Sequence, residues 1–150
     1  MENENVTLTP VENTEEVTPQ KYDVQSLLDR HEAFKLKGLQ LTDEDLFNWL
    51  SLMDEIIAVT SSMKAEYLEN KLAIDKDKAV KSIELKMEKN EDGKAYTDKM
   101  IEAIIKNDYY EQDLAQTTLK NTYELLYQRA GVINDLVNVV KLHKKADFTL

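Results

Sequence analysis

The chain has 150 residues, of which 32% are charged and 42% hydrophobic, so the composition indicates one soluble domain with a modest core. The net charge of −10 disfavours a general nucleic-acid-binding protein, and the absence of cysteine excludes disulfides and thiolate zinc sites. Three glycines and two prolines leave few turn signals, which favours a few long helices over a sheet.

The N-terminal segment is acidic, because residues 1–20 hold five glutamates and no lysine or arginine. This composition, without a hydrophobic period, predicts a disordered tail over residues 1–22 and a single domain over residues 23–150. The segment lacks the basic start and apolar centre of a signal peptide, and no apolar run approaches the ~20 residues that span a bilayer. We therefore expect a cytoplasmic protein that makes no membrane contact.

Two helices are predicted before residue 90. The first is a short helix that begins near Asp23, carries His31 on its surface and stops at Gly38. The second is capped by Thr42, and the absence of glycine and proline over residues 43–89 predicts a helix about 70 Å long. Thr60, Ser61 and Ser62 leave open a bend or break in it.

Trp49 and Phe47, near the start of the second helix, are predicted core residues, with a base-stacking platform as the alternative. The predicted seam of this helix comprises Leu46, Leu50, Met53, Ile57, Leu68, Leu72, Ala79 and Ile83.

A turn at residues 90–93, with Gly93 at its end, precedes a third helix that Thr97 caps. Two heptad sets predict that this helix packs against another helix. One set is Ile105, Gln112, Leu119, Leu126, Ile133 and Val140, and the other is Ile101, Asp108, Ala115, Thr122, Arg129, Leu136 and His143. The fold prediction is all-α: a long, coiled-coil-like antiparallel helical hairpin with a short N-terminal helix.

Self-association is also expected, because a hairpin alone leaves apolar residues such as Val132, Val137 and Val139 on other faces. Gly131 allows either a close crossing or a kink. The predicted interface between copies of a homo-oligomer comprises Leu119, Leu126, Ile133, Leu136 and Val140.

Catalysis is not expected, because His31 and His143 lie in different helices without a nucleophile pattern. A calcium loop starting at Glu88 fails, since Lys99 stands at the twelfth place, and no glycine-rich phosphate loop is present. The sequence therefore predicts neither metal site nor cofactor.

The remaining candidate site is a group of lysines near the turn. As a binding site they would neutralise phosphates of a nucleic acid, and as an ordinary solvated face they would pair with neighbouring acids such as Asp77, Glu84 and Glu88. The candidates are Lys76, Lys78, Lys81, Lys86, Lys89 and Lys94.

Residues 43–147 contain a lysine-rich long helix ("KDKAVKSIELKMEK"), a polar connection with glycine ("NEDGKAYTDK") and a second long helix ending "YELLYQRAGVINDLVNVVKLHKK". This arrangement resembles the UvsY-like family of phage recombination mediators, which for a phage protein would place the chain in the host cytoplasm. The resemblance implies a non-enzymatic, ring-forming protein that binds single-stranded DNA and helps a recombinase to replace single-strand-binding protein. It implies that Lys86 contacts DNA, while Glu84 stands where a second basic residue is expected.

The expected function is accordingly that of a recombination mediator, with single-stranded DNA, a recombinase and a single-strand-binding protein as partners. Two alternatives remain open. One is a structural or scaffolding coiled-coil oligomer, in a virion or another assembly. The other is an acidic module, using residues 43–75 and the tail, that inhibits a host nucleic-acid enzyme.

Overall fold

The computed structural model describes residues 21–148, and the predicted tail lies outside them except for Lys21 and Tyr22. The described residues form four helices and no strand: α1 (Val24–Lys37), α2 (Asp43–Met87), α3 (Asp98–Asp108) and α4 (Tyr110–Phe148). α2 and α4 pack antiparallel along most of their length, and α1 lies against both. The predicted all-α helical hairpin is confirmed.

Helix α2 is one continuous helix of 45 residues, so the bend left open near Thr60 does not interrupt it. Its start is a capping box, in which the Thr42 hydroxyl accepts from the Asp45 backbone N–H and the Asp45 carboxylate accepts from the Thr42 N–H. Three acids in its first turn complement the helix dipole. This cap accounts for a sharp beginning at the predicted position.

The turn after α2 is held by Asn90 and Gly93. The Asn90 side-chain oxygen accepts from the backbone N–H groups of Asp92 (3.1 Å) and Lys94 (2.8 Å), while Gly93 adopts a φ of +73°. Thr97 then caps α3 by accepting from the Met100 backbone N–H at 3.3 Å. Asn and Gly suit this geometry because one side chain bonds the local backbone and the other tolerates positive φ.

The predicted third helix is divided at Tyr109 into α3 and α4. Backbone hydrogen bonds still cross this point, from the Tyr109 N–H to Ile105 and from the Asp113 N–H to Tyr109. The first heptad set keeps its predicted place, since Leu126, Ile133 and Val140 are buried, whereas in the second set the residue after each predicted position from Thr122 to Leu136 is buried instead. The buried face of α4 comprises Tyr123, Leu126, Ala130, Ile133, Val137 and Val140, whereas Thr122, Arg129 and Leu136 flank it and Asp108, Ala115 and His143 are exposed.

The seam of α2 also differs from the prediction. The side chains facing α4 follow a three-four spacing that begins at Trp49, and Leu50 and Met53 only flank it. Phe47 is 72% exposed, so its predicted place in the core was wrong, while that of Trp49 is confirmed. The observed seam comprises Trp49, Leu52, Ile56, Thr60, Met63, Tyr67, Asn70, Ile74, Lys78, Lys81 and Leu85, which are buried or half-buried. Its distal part is polar, and periodicity therefore favoured a different, more apolar stripe.

Burial divides the molecule into two regions. The base (residues 21–63 and 119–148) is a three-helix bundle that holds nearly all of the buried side chains. The arm (residues 64–118) is a two-helix hairpin in which only Leu85 and Ile101 are buried, among the residues described. Within the base, ion pairs fasten α1 to the other helices, and Arg30 donates to Glu55 of α2 through two nitrogens at 2.6 and 2.9 Å.

Candidate functional site

The candidate lysines lie along the arm, but they are not equivalent. Lys78 points at α4, where its Nζ lies 2.6 and 2.7 Å from the two carboxylate oxygens of Asp113 and 5.7 Å from the centre of the Tyr109 ring. Asp113 and the ring hold this ammonium group inside the hairpin. Lys78 therefore joins the two helices of the arm, and its charge is already balanced.

The other candidate lysines are closer to solvent. Lys86 lies 3.9 Å from Asp98 across the turn, with 60% of its side chain exposed, and Lys81 is half-buried. Lys76, Lys89 and Lys94 are exposed. Residues 76–106 hold eight lysines and seven acids, so this end of the molecule is close to neutral rather than strongly basic. Nucleic-acid binding at these lysines stays a prediction.

The five residues predicted to join copies lie in or against the core of a single chain. Leu126 and Ile133 are fully buried, Val140 is 3% exposed, and Leu119 and Leu136 pack against the same core. Val137, which the sequence placed on another face, is also buried. An interface at the five predicted positions stays a prediction, and the apolar side chains that the chain leaves exposed lie elsewhere.

A regular exposed apolar feature lies on α2, within the arm. We name it the outer stripe, and its members are Leu68, Leu72, Ala79 and Ile83. Leu68 is 53% exposed, Leu72 is 73% and Ile83 is 60%. Helical spacing places the stripe opposite the seam that faces α4. The sequence predicted these residues as part of one seam of α2 that packs against other helices; in the single chain they face solvent and not α4.

The arm has few side chains of its own with which to stabilise α2. Between Met63 and Leu85, no residue of this helix is buried. Long helices in proteins take most of their stability from packing an apolar face, and the outer stripe of the arm packs against no other part of the described chain. The outer stripe is therefore the candidate functional surface.

An open groove marks the boundary between base and arm. It has a volume of about 470 Å³ and continues the line of α1 along α4, with Met63, Leu114 and Leu119 among its apolar walls. Lys21 and Tyr22 close one end, because the Lys21 ammonium and the Tyr22 hydroxyl both donate to the Glu66 carboxylate, at 2.7 and 3.0 Å. The groove thus begins where α1 ceases to cover the hairpin.

Sequence reasoning missed the burial of His31, which is 1% exposed rather than on the surface. Within the described residues, neither ring nitrogen has a hydrogen-bond partner. Burial lowers the pKa of His31 below 6.5, the nearby charges of Arg129 and Lys35 lower it further, and Glu32 opposes them. No local signal indicated this, because the face of α1 that is covered depends on where the hairpin packs.

Across residues 21–148, no cluster of three or more histidines and carboxylates is arranged to hold a metal ion. In the same span, none of the helices combines the length and the apolar character needed to cross a bilayer. No protein-family model, no curated protein and no solved structure matches this chain.

Proposed function

We propose that this chain is a non-enzymatic assembly protein of the cytoplasm, in which the folded base carries an arm that joins subunits. The observation that supports the proposal is the outer stripe, whose apolar side chains are exposed along a stretch of α2 that buries none of its own. Contiguous exposed apolar surface on a folded chain is typical of an interaction site. Of the functions expected from the sequence, a coiled-coil scaffold fits this surface best.

The proposal is tested by measuring the mass of the particle in solution. Light scattering after size exclusion should give a mass above the 17.4 kDa of one chain, increasing with concentration. The variant Leu68→Ser/Leu72→Ser/Ile83→Ser should return to the mass of one chain while keeping its helical circular dichroism, because these side chains are exposed. A single-chain mass for the unaltered protein at every concentration would contradict assembly.

Binding of single-stranded DNA is a second candidate, favoured by the exposed lysines at the end of the arm and by the resemblance to recombination mediators. Lys86, Lys89 and Lys94 lie on either side of one turn and are exposed, so their ammonium groups can reach a phosphate backbone. Recombinase and single-strand-binding protein would then be partners. An assembly would repeat this small patch, which raises avidity without stronger individual contacts.

Fluorescence anisotropy with a labelled single-stranded oligonucleotide tests this candidate. Binding should weaken steeply with salt, and Lys86→Gln/Lys89→Gln/Lys94→Gln should weaken it and reduce the salt slope. The matched control changes three lysines of the base, Lys35→Gln/Lys120→Gln/Lys141→Gln, and should have little effect. No binding at low salt would rule out the mediator function and leave assembly intact.

A further inference from the structure

We propose that the outer stripe binds the same stripe of a second copy, with the two α2 helices parallel and related by a two-fold axis along the arm. This inference rests on the proposed assembly function and names its partner and geometry. It is carried by the spacing of the stripe and by the charges on its two sides, which complement each other in one orientation and not in the other.

The stripe stays on one face of α2. Leu68 and Ala79 are eleven residues apart, as are Leu72 and Ile83. Eleven residues in three turns correspond to ~3.67 residues per turn, close to the 3.6 of a straight α-helix. Two such helices can therefore lie side by side with little supercoiling, and over 16 residues the contact extends about 24 Å.

Charged residues lie on both sides of the stripe. Successive residues are about 100° apart around the helix, and the stripe points in the direction midway between Asp75 and Lys76. These two residues therefore flank the stripe, one on its left and one on its right. We call the side with Lys71 and Asp75 the first side; these two residues line a hollow beside α4, and helical spacing adds Lys64 to them. We call the side with Glu66 the second side; Glu66 contacts Lys21, just before α1, and helical spacing adds Glu69 and Lys76.

The orientation follows from which sides meet. In a parallel two-fold pair, the first side of each helix faces the second side of its partner, so that Asp75 meets Lys76 of the other copy twice. In an antiparallel pair, like sides meet, and Asp75 would approach the second Asp75 while Lys76 approached the second Lys76. Like charges in contact disfavour a complex, so the parallel pair is selected.

Of the two further charge pairs beside the stripe, one favours the parallel pair and one opposes it. Lys64 and the Glu69 of the other copy stand five residues apart, the relation of ion pairs that flank the seam of a parallel coiled coil. Lys71 and Lys76 of the other copy are also five residues apart, but both are positive. Asp75, four residues after Lys71 on the same helix, lies next to both of these lysines. The arrangement is self-complementary and closes at two chains.

Charge exchange tests the orientation. Asp75→Lys and Lys76→Asp should each weaken dimerisation at least tenfold, because each places like charges in contact. The double variant Asp75→Lys/Lys76→Asp should restore it, since the two charges exchange places. Both residues are exposed, so the chain itself should fold in every variant. Single variants that dimerise as well as the unaltered chain, or a double variant without recovery, would overturn the parallel pair.

Cysteine cross-linking gives an independent measurement, since the chain has no cysteine of its own. In a parallel pair, Leu68→Cys and Ile83→Cys should each oxidise to a disulfide-linked dimer with itself. In an antiparallel pair, they would cross-link mainly with each other in a mixture. Leu142→Cys, with a side chain 67% exposed on α4, is the control and should not cross-link at the same rate.

The outcomes separate this inference from the function on which it rests. A single-chain mass at all concentrations would overturn both. Oligomers that depend on the outer stripe but resist the charge exchange, or cross-link only between positions 68 and 83, would overturn the parallel pair and leave the assembly function standing. Oligomers that respond to the charge exchange and cross-link within each position would support both.

Discussion

The base and the arm share the same two long helices, yet they are stabilised in different ways. In the base, α1 covers the hairpin, and Trp49, Leu52 and Ile56 lose nearly all contact with solvent. In the arm, α1 does not cover α2, the seam of α2 contains Asn70, Lys78 and Lys81, and the outer stripe faces solvent. Continuous helical structure therefore does not imply a continuous core.

The largest expected effect comes from shortening a leucine in each region of α2. Leu52→Ala should lower the free energy of unfolding by about 2–5 kcal/mol, because this fully buried side chain would leave a cavity. Leu72→Ala, in the arm, should change it by less than about 0.5 kcal/mol in the monomer, because the side chain is 73% exposed. Urea unfolding at low protein concentration provides both values. Equal losses would refute the division into base and arm.

A smaller effect is expected from two glycines. Gly93, in the arm, has a φ of +73°, so Gly93→Ala should destabilise the chain by about 1–2 kcal/mol. Gly131, in the base, is helical, and a Cβ there would meet no neighbouring atom, so Gly131→Ala should stabilise by about 1 kcal/mol. Thermal melting of the two variants should give shifts of opposite sign. A loss of stability in Gly131→Ala would show that another helix approaches closely there.

The smallest effect is a dependence of the base on pH. Because the pKa of His31 is lower in the folded chain than the usual 6.5, the unfolded chain binds the proton more readily. Stability should therefore be independent of this group well above pH 6.5 and fall as the pH drops from there towards the folded pKa.

Ion pairing lowers the pKa of Glu55 and of Glu66 from the ordinary 4.5, and the pKa of Asp45 is lowered to about 2. These carboxylates therefore change the stability of the chain only at a lower pH than His31 does. Between about pH 7 and pH 5, the free energy of unfolding of His31→Leu, measured with urea, should change much less with pH than that of the unaltered chain. An unchanged slope would mean that another group titrates in this window.

The sequence predicted what depends on local chemistry. Thr42 and Thr97 cap helices, and Asn90 with Gly93 forms the turn, because each acts on backbone groups within a few residues. It did not predict which face of α2 meets α4, since that face is determined by the packing of Trp49, Ile56 and other base residues, which are distant in sequence from the arm. Once the base fixes the rotation of a rigid helix, the arm follows, even where this exposes Leu72 and places Lys78 inward.

The sequence placed the residues of the outer stripe in the predicted seam of α2 and did not predict them as an exposed site. Leu68, Leu72, Ala79 and Ile83 are recognisable from their spacing, whereas their exposure follows only from the packing of the rest of the chain. The burial of His31 has the same origin. What sequence reasoning lacked was the relative rotation of the helices, which no short-range pattern records.

The attachment of Lys21 and Tyr22 to Glu66 has a practical consequence. It places Lys21 and Tyr22 beside the middle of α2, about 30 Å from the turn at residues 90–93. A dye attached to this short segment would therefore lie near the middle of the molecule's long axis, and a dye on Lys94 near its end. In an assembly of the proposed kind, distances between dyes at the first place would report on side-by-side contacts, and distances between dyes on Lys94 would report on contacts between ends.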